Sequence, residues 1–199
     1  MPESARCPWV NLRNPLYVKY HDEEWSVPCH DDRALYELLI LECFQAGLSW
    51  ECVLNKRENF RRAYDGFDAA RVAAYGEEKI RELLSDPGLI RNRRKVLASI
   101  RNSAVFLDIQ AEFGSFDRYI WGFTGDGVPV REECTLRTSS PLSDAVSKDL
   151  KQRGMTFVGT TIIYSYLQAI GVLAAHTENC FCLGRRTMPA AASCDHFAP

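Results

Sequence analysis

The sequence predicts an all-α fold, and three observations support that prediction. Apolar residues recur at helical spacing through most of the 199 residues, alternating strand patterns are scarce, and capping residues and glycines punctuate the helical stretches. A hydrophobic content of 46% is enough to build a sizeable core. We therefore expect one domain over residues 1–183, followed by a flexible tail over 184–199, where the periodicity is lost.

The helical pattern divides into a series of helices joined by short connections. We predict helices over about residues 31–46, 49–63, 68–74, 77–85, 91–107, 115–122, 141–153 and 159–175. The side chains suited to helix caps or first turns are Asp31, Ser49, Asp68, Ser115 and Ser143. The glycines that interrupt the pattern are Gly47, Gly66, Gly154 and Gly171. Because no internal repeat is visible, the helices are expected to pack around a single core.

Residues 157–175, FVGTTIIYSYLQAIGVLAA, contain no charged side chain and are long enough to suggest a membrane span. Thr160, Thr161, Ser165 and Gln168 argue against a span, and no strong basic anchor lies on both sides of the segment. We therefore predict a helix through the core of a soluble protein and no membrane partner. The hydroxyl and amide groups of this helix need partners inside the protein or from a ligand.

Charge and cysteine content restrict the class of protein. The formal net charge is −2 and the isoelectric point is about 6.1, which taken alone argues mildly against a nucleic-acid partner. The N-terminal MPESARCPWVNLRNP has no apolar segment typical of a secretory signal, so we expect a reducing, intracellular location. The eight cysteines are then interpreted as thiols or metal ligands rather than as a disulfide framework.

Basic charge is concentrated in residues 85–102, SDPGLIRNRRKVLASIRN. The basic residues are Arg91, Arg93, Arg94, Lys95 and Arg101, and the only acid is Asp86. The order is helix, tight turn, amphipathic helix, and the backbone N–H groups at such a helix start favour a phosphate oxygen. Nearby arginine and lysine would add a salt-sensitive grip on a DNA backbone. A solvated helix face explains the charge equally well, so the pattern alone leaves both interpretations open.

Histidines and cysteines form a second constellation. His176 and Cys180 are four residues apart, which places both on one face of a helix, while Cys7 and His21 lie near the other end of the chain. Together they would make a Cys2His2 set suited to tetrahedral zinc, and an ion that joins ligands so far apart would be mainly structural. The spacing alone is weak evidence, because such residues are more often separate core residues. Competing ligands are Cys182, Cys194 and His196.

Glu42 lies in LECFQAGLSW, residues 41–50, on the apolar stripe that continues from Leu38 and Leu39. Its carboxyl group is therefore predicted to be buried. Aromatic residues flank it in sequence, namely Trp9, Tyr17, Tyr20, Trp25 and Trp50. Rings beside a buried acid suit a flat cationic ligand, since ring faces attract positive charge and a carboxylate accepts hydrogen bonds from an amino edge. Each ring, taken singly, is more often an ordinary core residue.

Several linked motifs carry a resemblance to a known family. The segments RCPWVNLRNPLYVKYHDEEWSVP, LECFQAGLSWECVLNKRENFR, DPGLIRNRRK, KQRGMTFVGTTIIYSYLQAIGV and HTENC resemble the type I 3-methyladenine DNA glycosylases of bacteria, in unbroken order from about residue 6 to 182. The resemblance implies an all-helical helix-hairpin-helix DNA glycosylase fold. It also implies excision of 3-methyladenine from alkylated DNA and one structural zinc ion that joins the N- and C-terminal regions.

The resemblance also implies roles for particular positions. The zinc ligands match Cys7, His21, His176 and Cys180. The acid that recognises the damaged base matches Glu42, and the base-binding pocket matches Tyr20, Trp25 and Trp50, to which we add Trp9 and Tyr17. The hairpin that contacts the DNA backbone matches Pro87, Gly88, Leu89, Ile90, Arg91 and Lys95. Departures from the family pattern are Pro8, Ser26, Cys43 and Phe44, of which the last two are expected to narrow the pocket or to alter how the base slides past Glu42.

These residues predict a monofunctional glycosylase that leaves an abasic site. The family lacks the aspartate that many related enzymes use after the hairpin, and Asp108 and Asp117 are as easily exposed or capping acids. No lysine is placed as a Schiff-base nucleophile. We expect a cytoplasmic bacterial monomer that acts on double-stranded DNA and releases free 3-methyladenine. Two alternatives remain open: a non-catalytic binder of alkylated DNA on the same scaffold, and a zinc-stabilised structural or thiol-bearing protein with no DNA role.

Overall fold

The computed structural model describes residues 5–125, 127–131 and 137–183, and these residues are mostly helical, as predicted. The elements are α1 (Pro15–Lys19), a π-helical turn (Tyr20–Glu24), α2 (Asp32–Gln45), α3 (Trp50–Leu54), α4 (Arg57–Ala63), α5 (Ala69–Ala73), α6 (Glu77–Ser85), α7 (Arg93–Phe113), α8 (Phe116–Gly122), β1 (Val130–Arg131), α9 (Pro141–Gln152), α10 (Thr160–Ala169) and β2 (Leu173–Ala174). The predicted tail over 184–199 lies outside the described residues.

Helix α2 runs through the centre of the core. Its residues from Ala34 to Phe44 are all buried, and Asp31 caps its start by accepting a hydrogen bond from the Ala34 amide at 2.8 Å. Helices α7, α8 and α10 pack against it. A helix that is surrounded on all sides can carry a polar residue into the interior, and α2 does so with Glu42.

Capping chemistry sets most of the predicted helix starts. The side chains of Ser49, Asp68 and Ser115 each accept a hydrogen bond from a backbone amide in the first turn of α3, α5 and α8. Ser143 lies in the first turn of α9, where it forms a capping box with Ser140. The caps therefore locate these helices more sharply than hydrophobic periodicity does.

The predicted helix over 159–175 is wrong at its C-terminal end. Helix α10 stops at Ala169, and Gly171 takes a positive φ of 76° where an added Cβ would lie 2.3 Å from the Val27 carbonyl carbon. The chain then extends as β2, which pairs in parallel with β1 through Val130 and Leu173. Of the helices in the described ranges, none combines the length and the apolar character that crossing a membrane requires.

Other boundaries differ for local reasons. The predicted helix over 49–63 is two helices, α3 and α4, separated by a turn at residues 55–56. Helix α7 continues past the predicted end at residue 107 until Gly114, which takes a positive φ of 86°. Helix α1 and the π-helical turn were not predicted, although Asn14 caps α1 and Pro15 occupies its first turn. These two elements are short and rich in aromatic residues, so they show no clear period.

Candidate active site and metal centre

A pocket of about 140 Å³ opens between the N-terminal segment, α2, α3 and α10. Its lining contains all five aromatic residues that the sequence pointed to, together with Glu42 and three polar residues. The lining residues are Trp9, Tyr17, Tyr20, Trp25, Glu42, Gln45, Trp50, Ser165 and Gln168. Sequence analysis did not place Gln45, Ser165 and Gln168 in a pocket. The signal available in the sequence was that Ser165 and Gln168 lie in an uncharged segment, where their polar groups need hydrogen-bond partners from the protein or from a ligand.

Glu42 supplies the acid at this pocket. The residue is 3% exposed, and its Oε2 atom has no hydrogen-bond partner among the residues that the structure describes. Burial raises the pKa of the Glu42 carboxyl from its usual value near 4.5 to about 8. The group is therefore largely protonated near neutral pH, and a cationic ligand beside it would favour the ionised form, which accepts hydrogen bonds.

Two more pocket atoms are buried without a partner in the described part of the chain. These atoms are Gln45 Oε1, one helical turn beyond Glu42 on α2, and Trp50 Nε1 at the start of α3. Together with Glu42 Oε2 in its ionised form they give two acceptors and one donor. A buried polar atom without a partner is costly, so this set favours a ligand that carries both N–H donors and an acceptor.

The aromatic rings form two pairs around the acid. The rings of Tyr20 and Trp50 have centroids 5.2 Å apart, and those of Trp9 and Trp25 are 4.7 Å apart and nearly perpendicular. Tyr17 extends the second pair through Trp9, at a centroid distance of 5.4 Å. Rings in these positions can present their faces to a flat ligand held at Glu42.

The π-helical turn and the residue that follows it carry two of these rings, Tyr20 and Trp25. Its widened hydrogen bond runs from the Trp25 amide to the Tyr20 carbonyl at 2.8 Å, so both residues border one short loop of backbone. Ser26 follows with a positive φ of 62°, and its hydroxyl donates to the Leu173 carbonyl and accepts from the Ala175 amide, each at 3.2 Å. This departure from the family pattern therefore ties the wall of the pocket to β2.

Contrary to the expectation from the sequence, Cys43 and Phe44 do not line the pocket and so do not narrow it. The Asn102 amide nitrogen lies 3.5 Å from Cys43 Sγ, and the ring of Phe44 packs against Phe60 with centroids 4.8 Å apart. Both side chains leave α2 on faces other than the one that carries Glu42, because neighbouring positions on a helix point in different directions.

The four predicted metal ligands come together beside this pocket. Cys7, His21, His176 and Cys180 are all buried, and their ligand atoms lie within 4.8 Å of one another. Cys180 Sγ is 3.5 Å from His21 Nε2 and 3.4 Å from His176 Nδ1. Burial raises the pKa of the Cys7 thiol to about 12, because a thiolate there lacks a compensating charge. A bound cation would supply that charge, so the cluster can hold a metal ion.

A carboxylate orients one of these ligands. Asp22 Oδ1 lies 2.8 Å from His21 Nδ1, which leaves Nε2 directed at the cluster, and Arg6 binds Asp22 through two nitrogens at 2.7 to 3.0 Å. His21 and Asp22 form a second candidate group with Cys182. The other competing ligands, Cys194 and His196, lie outside the described residues.

The metal ligands also contact the pocket walls. The ring of Trp25 packs edge-on against His176 at a centroid distance of 4.7 Å, and Trp9 packs against His21 at 5.3 Å. Trp9 and Trp25 therefore each have one side toward the pocket and another toward the cluster.

The basic turn joins α6 to α7 over residues 86–92. Asp86 Oδ1 accepts a hydrogen bond from the Gly88 amide at 2.7 Å, and the Asp86 carbonyl accepts from the Leu89 amide at 3.2 Å. The Leu89 side chain is buried, whereas Pro87 and Arg91 are exposed. Helix α4 and the residue before it support the turn, since Lys56 Nζ donates to the Pro87 carbonyl at 3.0 Å and Asn59 donates to the Gly88 carbonyl at 3.1 Å.

Lys95 does not lie on the surface that the sequence predicted. Its side chain is buried, and Nζ donates to the carbonyls of Phe44 at 2.7 Å and Ala46 at 2.6 Å. The last carbonyls of a helix have no partner within that helix, so the ammonium group caps α2. Asp108 is exposed, as expected, whereas Asp117 is half-buried and its carboxylate lies 2.7 Å from His30 Nδ1.

These features define an α-helical protein with an aromatic, acid-containing pocket next to a Cys2His2 cluster, a site suited to a planar cationic ligand. Comparison with known proteins identifies the family. The chain belongs to the methyladenine glycosylase family, whose model matches residues 9–183.

The relatives agree with this assignment. DNA-3-methyladenine glycosylase 1 of Escherichia coli (strain K12) is 45% identical over 180 residues, which cover 89% of this chain and 96% of that protein. A crystal structure of 3-methyladenine DNA glycosylase I matches with a TM-score of 0.85 and 47% identity, covering 89% of this chain and 99% of that one. A variant of 3-methyladenine DNA glycosylase I in complex with 3-methyladenine matches with a TM-score of 0.84 and 32% identity, covering 88% and 96%.

Proposed function

We propose that this protein is a monofunctional DNA glycosylase that excises 3-methyladenine from alkylated double-stranded DNA and so begins base excision repair. The observation that carries the proposal is the buried Glu42 carboxyl group, with one oxygen still available inside an aromatic pocket. The names of the relatives, and the relative with 3-methyladenine bound, support the same substrate.

The chemistry of the substrate explains why such a pocket suffices. A methyl group on N3 makes the adenine cationic and weakens its bond to the sugar. After the nucleotide is flipped out, the bond between N9 and C1′ breaks and the base leaves with the bonding electrons as neutral 3-methyladenine. Water adds its oxygen to C1′ and releases a proton to solvent, which leaves an abasic site and an intact strand.

The pocket residues divide the work of recognition. Glu42 accepts hydrogen bonds from the adenine edge, while Tyr20 and Trp50 stack on the ring and favour its positive charge. Trp25, Trp9 and Tyr17 complete the wall. In the structure the Glu42 carboxyl has a pKa of about 8, and a cationic base beside it would lower that value, so binding of the damaged base favours the ionised carboxylate. An undamaged adenine offers no such charge.

The side chains that line the pocket support a reaction without a covalent enzyme intermediate. None of the lining residues in the described part of the chain is a lysine, so a Schiff base with the sugar has no nucleophile at the pocket. Hydrolysis by water leaves the strand uncut, which is what the term monofunctional means here.

The turn between α6 and α7 is proposed to bind the DNA backbone as the hairpin of a helix-hairpin-helix motif. Pro87 to Arg91 would face a phosphate, with Arg91 and Arg94 exposed beside it. We leave Lys95 out of this contact because its ammonium group already caps α2. The Gly88 amide donates to Asp86, so amide contacts to phosphate are assigned to Ile90 and Arg91.

Zinc is the metal we propose for the Cys2His2 cluster. Ligands that surround a common ion tetrahedrally at zinc distances lie about 3.5 Å from one another. The measured sulfur–nitrogen distances of 3.4 and 3.5 Å support that geometry. When bound, the ion would hold Cys7 and Cys180 as thiolates. Its role is structural, because all four protein ligands complete the coordination.

One assay tests the proposed function against its alternatives. The purified protein is incubated with methylated duplex DNA, and free 3-methyladenine is measured together with strand breaks. Release of the base with an intact strand is expected. Salt-sensitive binding without release would indicate a non-catalytic binder, and absence of both would contradict a DNA role.

Light scattering tests the monomeric state, and localisation in a bacterial host tests the predicted cytoplasmic location.

A further inference from the structure

A buried arginine links two of the segments that form the pocket wall. Arg57, at the start of α4, donates through one terminal nitrogen to Glu24 Oε2 at 2.7 Å and through Nε to Glu37 Oε1. The Arg57 side chain is 8% exposed. One guanidinium group therefore joins carboxylates that belong to two different elements.

The two carboxylates belong to the two halves of the pocket. Glu24 ends the π-helical turn, which begins at Tyr20 and is followed directly by Trp25. Glu37 lies on α2, rather more than one helical turn before Glu42. The link from Glu24 through Arg57 to Glu37 thus connects the segment that carries two of the rings to the helix that carries the acid.

The inner part of the network balances its own charge. Arg61 binds Glu37 at 2.9 Å, so two arginines balance Glu24 and Glu37, and the third acid, Glu58, joins Arg61 only at the exposed end. Burial is the main cause that raises the pKa of the Tyr20 hydroxyl, and the charges of Glu24 and Arg57 act on it in opposite directions. Because buried ion pairs are costly to break on one side only, the planar guanidinium holds its partners in a fixed geometry.

We propose that Arg57 and Glu24 are positioning residues for the pocket, fixing the distance between the ring-bearing segment Tyr20–Trp25 and the Glu42 carboxyl. This inference rests on the proposed function, because the distance matters only if a planar base is held between the rings and the acid. Small errors in such a distance weaken ligand binding and slow catalysis.

Glu24→Ala is the variant that tests the link. It detaches the segment while Arg57 keeps its contact with Glu37, so no buried charge loses its last partner. The matched control is Glu58→Ala, since Glu58 is 71% exposed and joins the same network only at its outer end, through Arg61 at 2.6 Å. Glu24→Gln is the conservative variant, because its amide oxygen can still accept a hydrogen bond from Arg57.

The measurements are the dissociation constant of free 3-methyladenine by tryptophan fluorescence, kcat and KM on methylated duplex, and the melting temperature. For Glu24→Ala we expect the dissociation constant to rise about tenfold at a temperature where the variant is fully folded. Glu58→Ala is expected to bind like the parent, and Glu24→Gln to recover most of the affinity.

Parent-like affinity of Glu24→Ala, or equal losses in Glu24→Ala and Glu58→Ala, would overturn the positioning role. A merely structural role would lower the melting temperature and the active fraction without changing the dissociation constant of the folded protein. If the parent protein itself neither binds 3-methyladenine nor releases it from DNA, the proposed function fails, and this inference fails with it. A normal parent beside an unaffected Glu24→Ala would overturn the inference alone.

Discussion

The Glu42 carboxyl group is costly to bury, because an ionised carboxylate without a partner loses its hydration. The protein limits this cost by raising the pKa to about 8, which keeps the group largely protonated near neutral pH. A cationic base at hydrogen-bonding distance would reverse that balance. Recognition of the ligand and ionisation of Glu42 are therefore expected to occur together.

Replacement of Glu42 by Gln keeps the shape of the side chain and removes its charge. Loss of a charge-assisted hydrogen bond should weaken binding of 3-methyladenine and lower kcat/KM on methylated DNA by about 10- to 100-fold. The circular dichroism spectrum should match that of the parent. Base release at the parent rate would show that Glu42 does not recognise the base.

The same substitution should change how stability depends on pH. Between about pH 4.5, the usual value for glutamate, and pH 8, folded Glu42 keeps a proton that the unfolded chain releases, so the parent loses stability as pH rises. Glu42→Gln lacks this loss. Its stability relative to the parent should grow through this range, by up to about 5 kcal/mol, and then stay constant. Urea unfolding at several pH values measures the difference, with Glu58→Gln as control.

Lys95 was predicted to contact DNA, but the structure places it as a cap of α2, and a substitution can distinguish these two roles. Lys95→Met should lower the free energy of unfolding by about 1 to 3 kcal/mol, because the carbonyls of Phe44 and Ala46 lose their donor. The salt dependence of DNA binding should stay as in the parent. A flatter salt dependence with unchanged stability would instead return Lys95 to the DNA surface.

Sequence reasoning succeeded or failed at single residues for identifiable reasons. Glu42 could be placed inside the protein because its position on the apolar stripe of a helix fixes its direction. Lys95 could not, because its basic neighbours suggest a surface and its partners, the last carbonyls of α2, come from a distant part of the chain. Gln45 was not predicted as a pocket residue, because a single glutamine near the end of a helix has no sequence motif that marks it as a ligand contact.

At the level of elements, the π-helical turn concentrates several tasks in a short segment. Tyr20 lines the pocket, His21 belongs to the Cys2His2 cluster, and Glu24 binds Arg57. Trp25 follows directly and contacts His176. A regular α-helix would point these side chains in other directions, so the widened turn is needed for all four positions.

The predicted end of α10 failed because the contact that controls it is distant in sequence, whereas the missed break between α3 and α4 and the missed end of α7 have local causes. The N-caps are local, and the positions of Asp31, Ser49, Asp68 and Ser115 were therefore readable. The end of α10 is set by the close approach of Gly171 to Val27, which no window of the sequence around residue 171 contains.

Removal of the zinc ion proposed for the Cys2His2 cluster should affect the pocket as well as the fold. Chelation is expected to lower the melting temperature and to weaken binding of 3-methyladenine, because Trp25 packs on His176 and Trp9 on His21. Cys180→Ser should lose the metal and behave like the chelated parent, whereas Cys52→Ser should keep both the metal and the affinity. Unchanged metal stoichiometry in Cys180→Ser would point to Cys182 as the ligand.

The molecule as a whole carries a net charge of −2, so its affinity for DNA must come from a local surface. Of the exposed arginines at the turn between α6 and α7 and in the first turn of α7, we assign Arg91 and Arg94 to that surface, because Arg93 pairs with Glu77 at 2.9 Å. Binding through them should be salt-dependent, since phosphate contacts release counterions.

Arg91→Ala should reduce the slope of log affinity against log salt concentration by about one phosphate contact. Filter binding or fluorescence anisotropy with duplex DNA measures the slope. Arg118→Ala removes an exposed arginine from α8 and serves as the control, with the slope of the parent. Equal effects of both substitutions would argue for a diffuse charge effect rather than a contact at the turn.

The Cys2His2 cluster also determines how the molecule would respond to mechanical tension. Cys7 and Cys180 meet near the two ends of the described chain, and the Phe181 amide donates to the Ala5 carbonyl at 2.9 Å. With an ion bound at the cluster, a force applied to these ends would load this hydrogen bond and the metal–ligand bonds before it reached the helices between them.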